Sequence, residues 1–141
     1  MIIKQLSIFL EDKSGRLTEL TKILSENDIN ITALSIADAA DYGIIRMVVG
    51  RPELAMNVLK EKGFSVQLTD VACLIVPNKP GGLYHALQIL TDNNVNIDYM
   101  YAFALKSTAS VIIRSASIHQ VIEVLQTNKL ELLKASDIYQ V

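Results

Sequence analysis

The sequence predicts an α+β chain built of two βαββαβ modules, each an antiparallel sheet with two helices on one face. Three observations predict it. First, the chain repeats itself. Displaced by 66 positions, Lys13-x-Gly15-x-Leu17 falls on Lys79-x-Gly81-x-Leu83, Ile23-Leu24 on Ile89-Leu90, Asn27 on Asn93, Asn30-Ile31 on Asn96-Ile97 and Val58-Leu59 on Val124-Leu125, without a gap. A fixed period of this size marks a duplicated folding unit. Second, apolar residues inside each period switch between two-residue and helical spacing in one order: strand, helix, strand, strand, helix, strand. Third, Gly and Pro stand at the switches rather than inside the elements.

In the first copy, residues 3 to 10 alternate as a strand, with Leu6, Ile8 and Leu10 on one face and Gln5 and Ser7 on the other. Residues 11 to 15 form a polar turn. From Gly15 to Glu26, Leu17, Leu20, Ile23, Leu24 and Asn27 lie on one helical stripe. Asn27-Asp28 suits a helix exit in the left-handed region. Ile29 to Ala37 reads as the second strand, Asp38 to Tyr42 as a turn and Gly43 to Val49 as the third strand. Ile44 and Val48 are expected on an uncovered second face of the sheet. Pro52 opens the next helix where its missing N–H costs nothing, Gly63 ends it, and Phe64 to Thr69 is the fourth strand.

The second copy repeats the order. Leu83, Ala86, Leu87 and Leu90 keep helical spacing, as do Ile118, Val121, Ile122 and Leu125, and Ser117 stands at an N-cap position. Its first strand, Val71 to Val76, follows the preceding strand without a linker, which places the modules at residues 1–70 and 71–141 in direct succession. The tail from Asp137 to Val141 offers one further strand.

A module of about 66 residues buries only about 60% of its unfolded surface. The copies are therefore expected to pack together, and against a second chain as a homodimer. Net charge is −2, which gives no electrostatic pull toward nucleic acid or anionic membrane. The one cysteine, Cys73, lies in an apolar run and reads as a buried reduced thiol. No segment approaches the roughly 20 apolar residues of a membrane span, and no signal peptide is evident, so the expected location is the cytoplasm.

No catalytic set assembles. His85 and His119 fall on outer helix faces, and one Cys with two separated His gives no zinc spacing. Lys79-Pro80-Gly81-Gly82 lacks the glycine spacing of a phosphate loop. Neither metal nor cofactor is expected. What both copies share is a glycine, Gly15 or Gly81, between a strand end and a helix start. Such a turn can admit a small carboxylate to unpaired N–H groups at the positive helix end. Equally, it can be a tight turn that only glycine makes. Tyr99, Tyr101 and Phe103 alternate where the first copy has Ala33, Ser35 and Ala37. They read either as core or interface packing or as an aromatic wall beside the loop.

Asp12-Lys13-Ser14-Gly15-Arg16-Leu17, a helix, then Asn27-Asp28-Ile29-Asn30-Ile31 resembles the ACT domain signature: D-x-P-G-x-L, helix, N-I. Asn78-Lys79-Pro80-Gly81-Gly82-Leu83 through Asn96-Ile97 repeats it and keeps the Pro that Ser14 replaces. The resemblance spans essentially the whole chain and implies a ferredoxin-like fold that binds amino acids at module interfaces and regulates a metabolic enzyme. Carried over by position, the implied ligand residues are Asp12, Ser14, Gly15, Arg16, Leu17 and Asn30, and in the second copy Asn78, Pro80, Gly81, Gly82, Leu83 and Asn96. Asn78 for Asp and Gly82 for Arg imply unequal sites. The alternative is a structural module with vestigial pockets.

Overall fold

The computed structural model describes residues 1–11, 15–38 and 42–139. Its order is β1 (Ile3–Glu11), α1 (Arg16–Glu26), β2 (Ile31–Asp38), β3 (Tyr42–Val49), α2 (Pro52–Glu61), β4 (Ser65–Pro77), α3 (Gly82–Asp92), β5 (Tyr99–Leu105), β6 (Thr108–Arg114), α4 (Ile118–Thr127) and β7 (Glu131–Leu132). The chain forms two compact units. An N-terminal module takes Lys4–Thr69 and the tail from Ile138, and a C-terminal module takes Asp70–Asp137 with Met1–Ile3.

In the N-terminal module the strands lie in the order β2-β3-β1-β4, with β1·β3 and β2·β3 antiparallel. Leu6 pairs with Met47 and Ile8 with Ile45, so these four share one face, since paired residues point the same way. That face carries the core, closed by Leu20, Ile23 and Leu24 of α1 and Ala55 and Leu59 of α2. In the C-terminal module β5-β6-β4 run antiparallel and β7 pairs with β4 at Leu74↔Leu132. Leu74, Ile113, Ala86, Leu90, Val121 and Leu125 form its core. Both are ferredoxin-like.

The four α-helices among the described residues all end the same way. Asp28, Gly63, Asn94 and Lys129 adopt positive φ (55°, 90°, 57° and 60°). The next residue donates its N–H five positions back: Ile29 to Leu24, Phe64 to Leu59, Val95 to Leu90 and Leu130 to Leu125, at 2.9–3.0 Å. This is a Schellman motif, in which an αL residue lets the chain turn back and satisfy open carbonyls. In each case the bonded pair is also an apolar pair directed into the core.

Several expectations change. The fourth strand of the first copy and the first strand of the second are one unbroken strand, β4. The second strand begins at Ile31 rather than Ile29, because Ile29 is spent closing the exit of α1. Val48 is not on an uncovered face; it is 1% exposed, and Gln5 is fully buried, with Nε2 donating to Ser7 Oγ. Ser117 makes no side-chain cap. Ser115 Oγ instead accepts from Ser117 N–H and donates to Asn96 O at 2.7 Å. The tail is not a strand at Asp137–Tyr139: the Asp137 carboxylate accepts from Lys134 N–H and commits Ala135–Asp137 to a 3₁₀ turn. Tyr139 then offers its hydroxyl oxygen to Lys4 N–H.

Gly63 and Lys129 occupy the same place in the two copies and the same left-handed region, which costs an L residue about 1–2 kcal/mol. Gly63→Ala is therefore expected to destabilise by about 1 kcal/mol and Lys129→Gly to stabilise by up to about 1 kcal/mol. The check is opposite displacement of the urea midpoint with unchanged slope.

Candidate functional site

Gly15 and Gly81 stand at the N-caps of α1 and α3 with φ of 87° and 89°. An ordinary N-cap is extended and carries a capping side chain; these are left-handed and carry none. Glycine is there for its backbone. A Cβ at Gly81 would meet no described atom within 4 Å, so packing does not demand the glycine. Of the remaining candidates in the first loop, Asp12 and Ser14 lie outside the described residues.

Arg16 is engaged within its own module. Its guanidinium lies 3.8 Å from the Phe64 ring centroid and its Nη1 3.0 Å from Glu19 Oε2. Phe64 is the residue that closes α2, so Arg16 ties the start of one helix to the exit of the other. Leu17 is half-buried against the core. Asn30 is exposed, with its carbonyl accepting from Gly50 N–H at 3.0 Å. It lies at the opposite end of α1 from Gly15, roughly 16 Å away for an 11-residue helix at about 1.5 Å per residue.

The second loop is tied down. Asn78 Nδ2 donates to Lys106 O and Asn78 N–H to Ser107 O, both at 2.9 Å, which fastens the loop to the β5–β6 hairpin. Gly82 N–H donates to Lys79 O, and Lys79 N–H to Pro77 O. A Cβ on Gly82 would stand 2.2 Å from Pro77 O, so no side chain corresponding to Arg16 fits. Pro80 is exposed, Leu83 packs on the C-terminal core and Asn96 accepts from Ser115 at the far end of α3. Tyr99, Tyr101 and Phe103 pair with Arg114, Ile112 and Ser110. That is the face opposite Met100 and Ile113, away from α3, so they form no wall beside the Gly81 loop.

Sequence reasoning passed over a cleft in the N-terminal module. An opening of about 360 Å³ lies at the carboxyl end of α1, floored by Leu24, Ile29 and Ile31 and rimmed by Thr21, Ser25, Asp28 and Asn30. The signal was present: Thr21, Ser25 and Asp28 follow at i, i+4, i+7 beside the apolar stripe. Among the described residues no group of three His, Cys, Asp or Glu side chains could hold a metal ion. No helix there is long and apolar enough to cross a membrane.

A family model described as an ACT domain pair matches residues 1–141. The chain belongs to the ACT domain family. ACT modules are regulatory rather than catalytic and bind small amino-acid ligands. The crystal structure of protein BT0572 from Bacteroides thetaiotaomicron is 48% identical, with 100% of this chain and 98% of that one covered and a TM-score of 0.96. The ligand-free regulatory subunit of aspartate kinase from Thermus thermophilus shares the tandem ACT fold at 15% identity, covering 89% of this chain and 93% of that one, TM-score 0.68. The corresponding subunit from Thermus flavus does so at 16%, covering 89% and 92%, TM-score 0.60. No curated protein matches the chain.

Two outcomes follow. Gly82→Ala forces a backbone contact, whereas Gly81→Ala meets only the left-handed penalty. Gly82→Ala is expected to cost about 1–3 kcal/mol and Gly81→Ala about 1 kcal/mol, compared by thermal unfolding. Cys73 is 3% exposed, and burial raises its thiol from 9.0 to about 11. Its folded-state pKa exceeds the unfolded one, so its contribution to stability is complete below about pH 9 and is lost toward about pH 11. In native protein at pH 8, a thiol reagent should leave Cys73 unlabelled, and denaturant should restore labelling.

Proposed function

We propose that this protein is a non-catalytic amino-acid-binding regulator, a sensor or regulatory subunit for a cytoplasmic enzyme of amino-acid metabolism. The observation that carries it is the left-handed glycine turn at the positive end of α1, in a protein of the ACT family. Such a turn brings backbone N–H groups within reach of a ligand carboxylate. Regulatory subunits of aspartate kinase share this fold, which supports a role for the ligand in controlling a partner enzyme.

Gly15 and Asn30 stand at opposite ends of α1, farther apart than a free amino acid can reach. For one ligand to touch both, the Gly15 end of one α1 must lie beside the Asn30 end of another. This favours a homodimer in which each chain completes the other's site, with Asp12, Ser14 and Gly15 from one copy and Asn30 from its partner. For the second loop the structural reading is stronger: Asn78 is committed to Lys106, and Gly82 leaves no room for a side chain.

Isothermal calorimetry and thermal shift against the twenty amino acids test the proposal. At least one should bind, and at a hundred times its Kd it should stabilise the fold by about 2.7 kcal/mol. Asp12→Asn, the residue found in the second copy, should weaken binding. Absence of any heat or thermal shift at millimolar concentrations would remove the sensing role and leave a purely structural module.

A further inference from the structure

Arg16 stands at the unfavourable end of its helix. The amino end of a helix is positive and disfavours a cation, yet Arg16 is the first residue of α1, directly after the left-handed Gly15. Its side chain is only 23% exposed and serves two groups at once. Its Cζ lies over the Phe64 ring, 3.8 Å from the centroid, and Nη1 is 3.0 Å from Glu19 Oε2. Arginine combines stacking on an aromatic with a fork of donors along its edge, so the two partners do not compete. Phe64 is 4% exposed in the core of the N-terminal module, its N–H closes α2 onto Leu59 O at 3.0 Å, and the next residue opens β4. One side chain therefore joins the glycine turn, the first turn of α1 and the point where α2 gives way to β4. In the second copy all three positions change together, to Gly82, His85 and Leu130. The exit of α4 still closes, with Leu130 N–H bonded to Leu125 O at 2.9 Å. Ending a helix in this fold does not require the arginine.

We propose that Arg16 is a positioning residue that carries the state of the Gly15 turn to the exit of α2 and the head of β4. A carboxylate entering the turn contests the edge of the guanidinium, held by Glu19, and not the stacking on Phe64. Glu19 is half-exposed, and ion pairs in contact with solvent hold weakly. The incoming anion therefore replaces Glu19 while the stacking stays. Fixed at its edge by the ligand, Arg16 holds Phe64 more firmly, and the bond from Phe64 N–H to Leu59 O opens less often. With Gly82 and Leu130 in place of Arg16 and Phe64, the C-terminal module has no such path. The inference rests on the amino-acid reading for what enters the turn, but the tie between Arg16 and Phe64 can be tested without a ligand.

The experiment is amide hydrogen exchange, read by NMR on the ¹⁵N-labelled full chain, alone and with each of the twenty amino acids at millimolar concentration. Arg16→Lys keeps the charge and loses the planar stack. Without ligand it is expected to speed exchange at Phe64 about fivefold, the scale of one partly buried cation–π contact. The Leu130 amide is the internal control and stays within about twofold. Phe64→Leu, which installs the side chain of the second copy, leaves Arg16 free to meet a ligand. An amino acid that binds is expected to slow exchange at position 64 at least about threefold in the parent and not in Phe64→Leu, which still binds it. Three results would overturn the proposal in chains of native spectral dispersion. Exchange at Phe64 could ignore Arg16→Lys, ligand protection at position 64 could survive Phe64→Leu, or Phe64→Leu could abolish binding. If an amino acid binds and Phe64 does not respond in the parent, the coupling falls and the sensor reading stands. If no amino acid binds while Arg16→Lys acts as expected, the sensor reading falls, and the carriage of a ligand signal falls with it.

Discussion

Each helix in this fold must hand its chain back to the sheet within a few residues, and one backbone device does so four times. A left-handed residue reverses the chain, the following N–H reaches five residues back, and the two residues so joined are both apolar. The bond and the burial reinforce each other, since the turn that satisfies a carbonyl of Leu24, Leu59, Leu90 or Leu125 also sets the next side chain against the core. A buried carbonyl left open would cost about 1–3 kcal/mol, so losing this geometry would cost hydrogen bonding and packing together. Everything that lies at a helix end, the cleft above Asp28 included, is placed by it.

The two modules have diverged in the residues of their glycine loops and helix exits while keeping the left-handed geometry at both. Arg16 stacks on Phe64 in one copy; Gly82 and Leu130 take those places in the other. The two changes belong together, since removing the guanidinium removes the reason for an aromatic beneath it. The Gly82 site has also closed over Pro77 O and cannot regain a side chain without moving backbone. Charge has moved the same way, with Asp12 and Asp28 facing Asn78 and Asn94 across the repeat. The first copy has acidic residues at these two positions and the second has amides, of which Asn78 bonds to Lys106 O of the β5–β6 hairpin.

Much of this was legible in the sequence because the signals were local. Leu17, Leu20, Ile23 and Leu24 fix a helix by spacing alone, Pro52 and Gly63 bracket another, and the repeat applies each inference twice. The αL exit was readable at Asn27-Asp28 and Gly63, but not at Lys129, where the side chain opposes the conformation that tertiary structure imposes. The tail from Asp137 read as a further strand because it echoes Asp70-Val71; the bond from Lys134 N–H to the Asp137 carboxylate belongs instead to a 3₁₀ turn over Ala135–Asp137. The candidate residues were only partly legible. Position in a motif could not reveal that Arg16 is engaged by Phe64, that Asn78 serves a hairpin distant in sequence, or that Asn30 lies a full helix away from Gly15.

The chain ends cross between modules. Met1–Ile3 belong to the C-terminal unit, where Ile2 packs on the core, while Ile138 and Tyr139 belong to the N-terminal one, where Tyr139 receives Lys4 N–H. During synthesis the first module must therefore wait for Ile138 and Tyr139 to leave the ribosome before it is complete. A cut midway through β4 would leave Met1–Ile3 on the fragment that carries Lys4–Thr69, and Ile138 and Tyr139 on the fragment that carries the C-terminal unit.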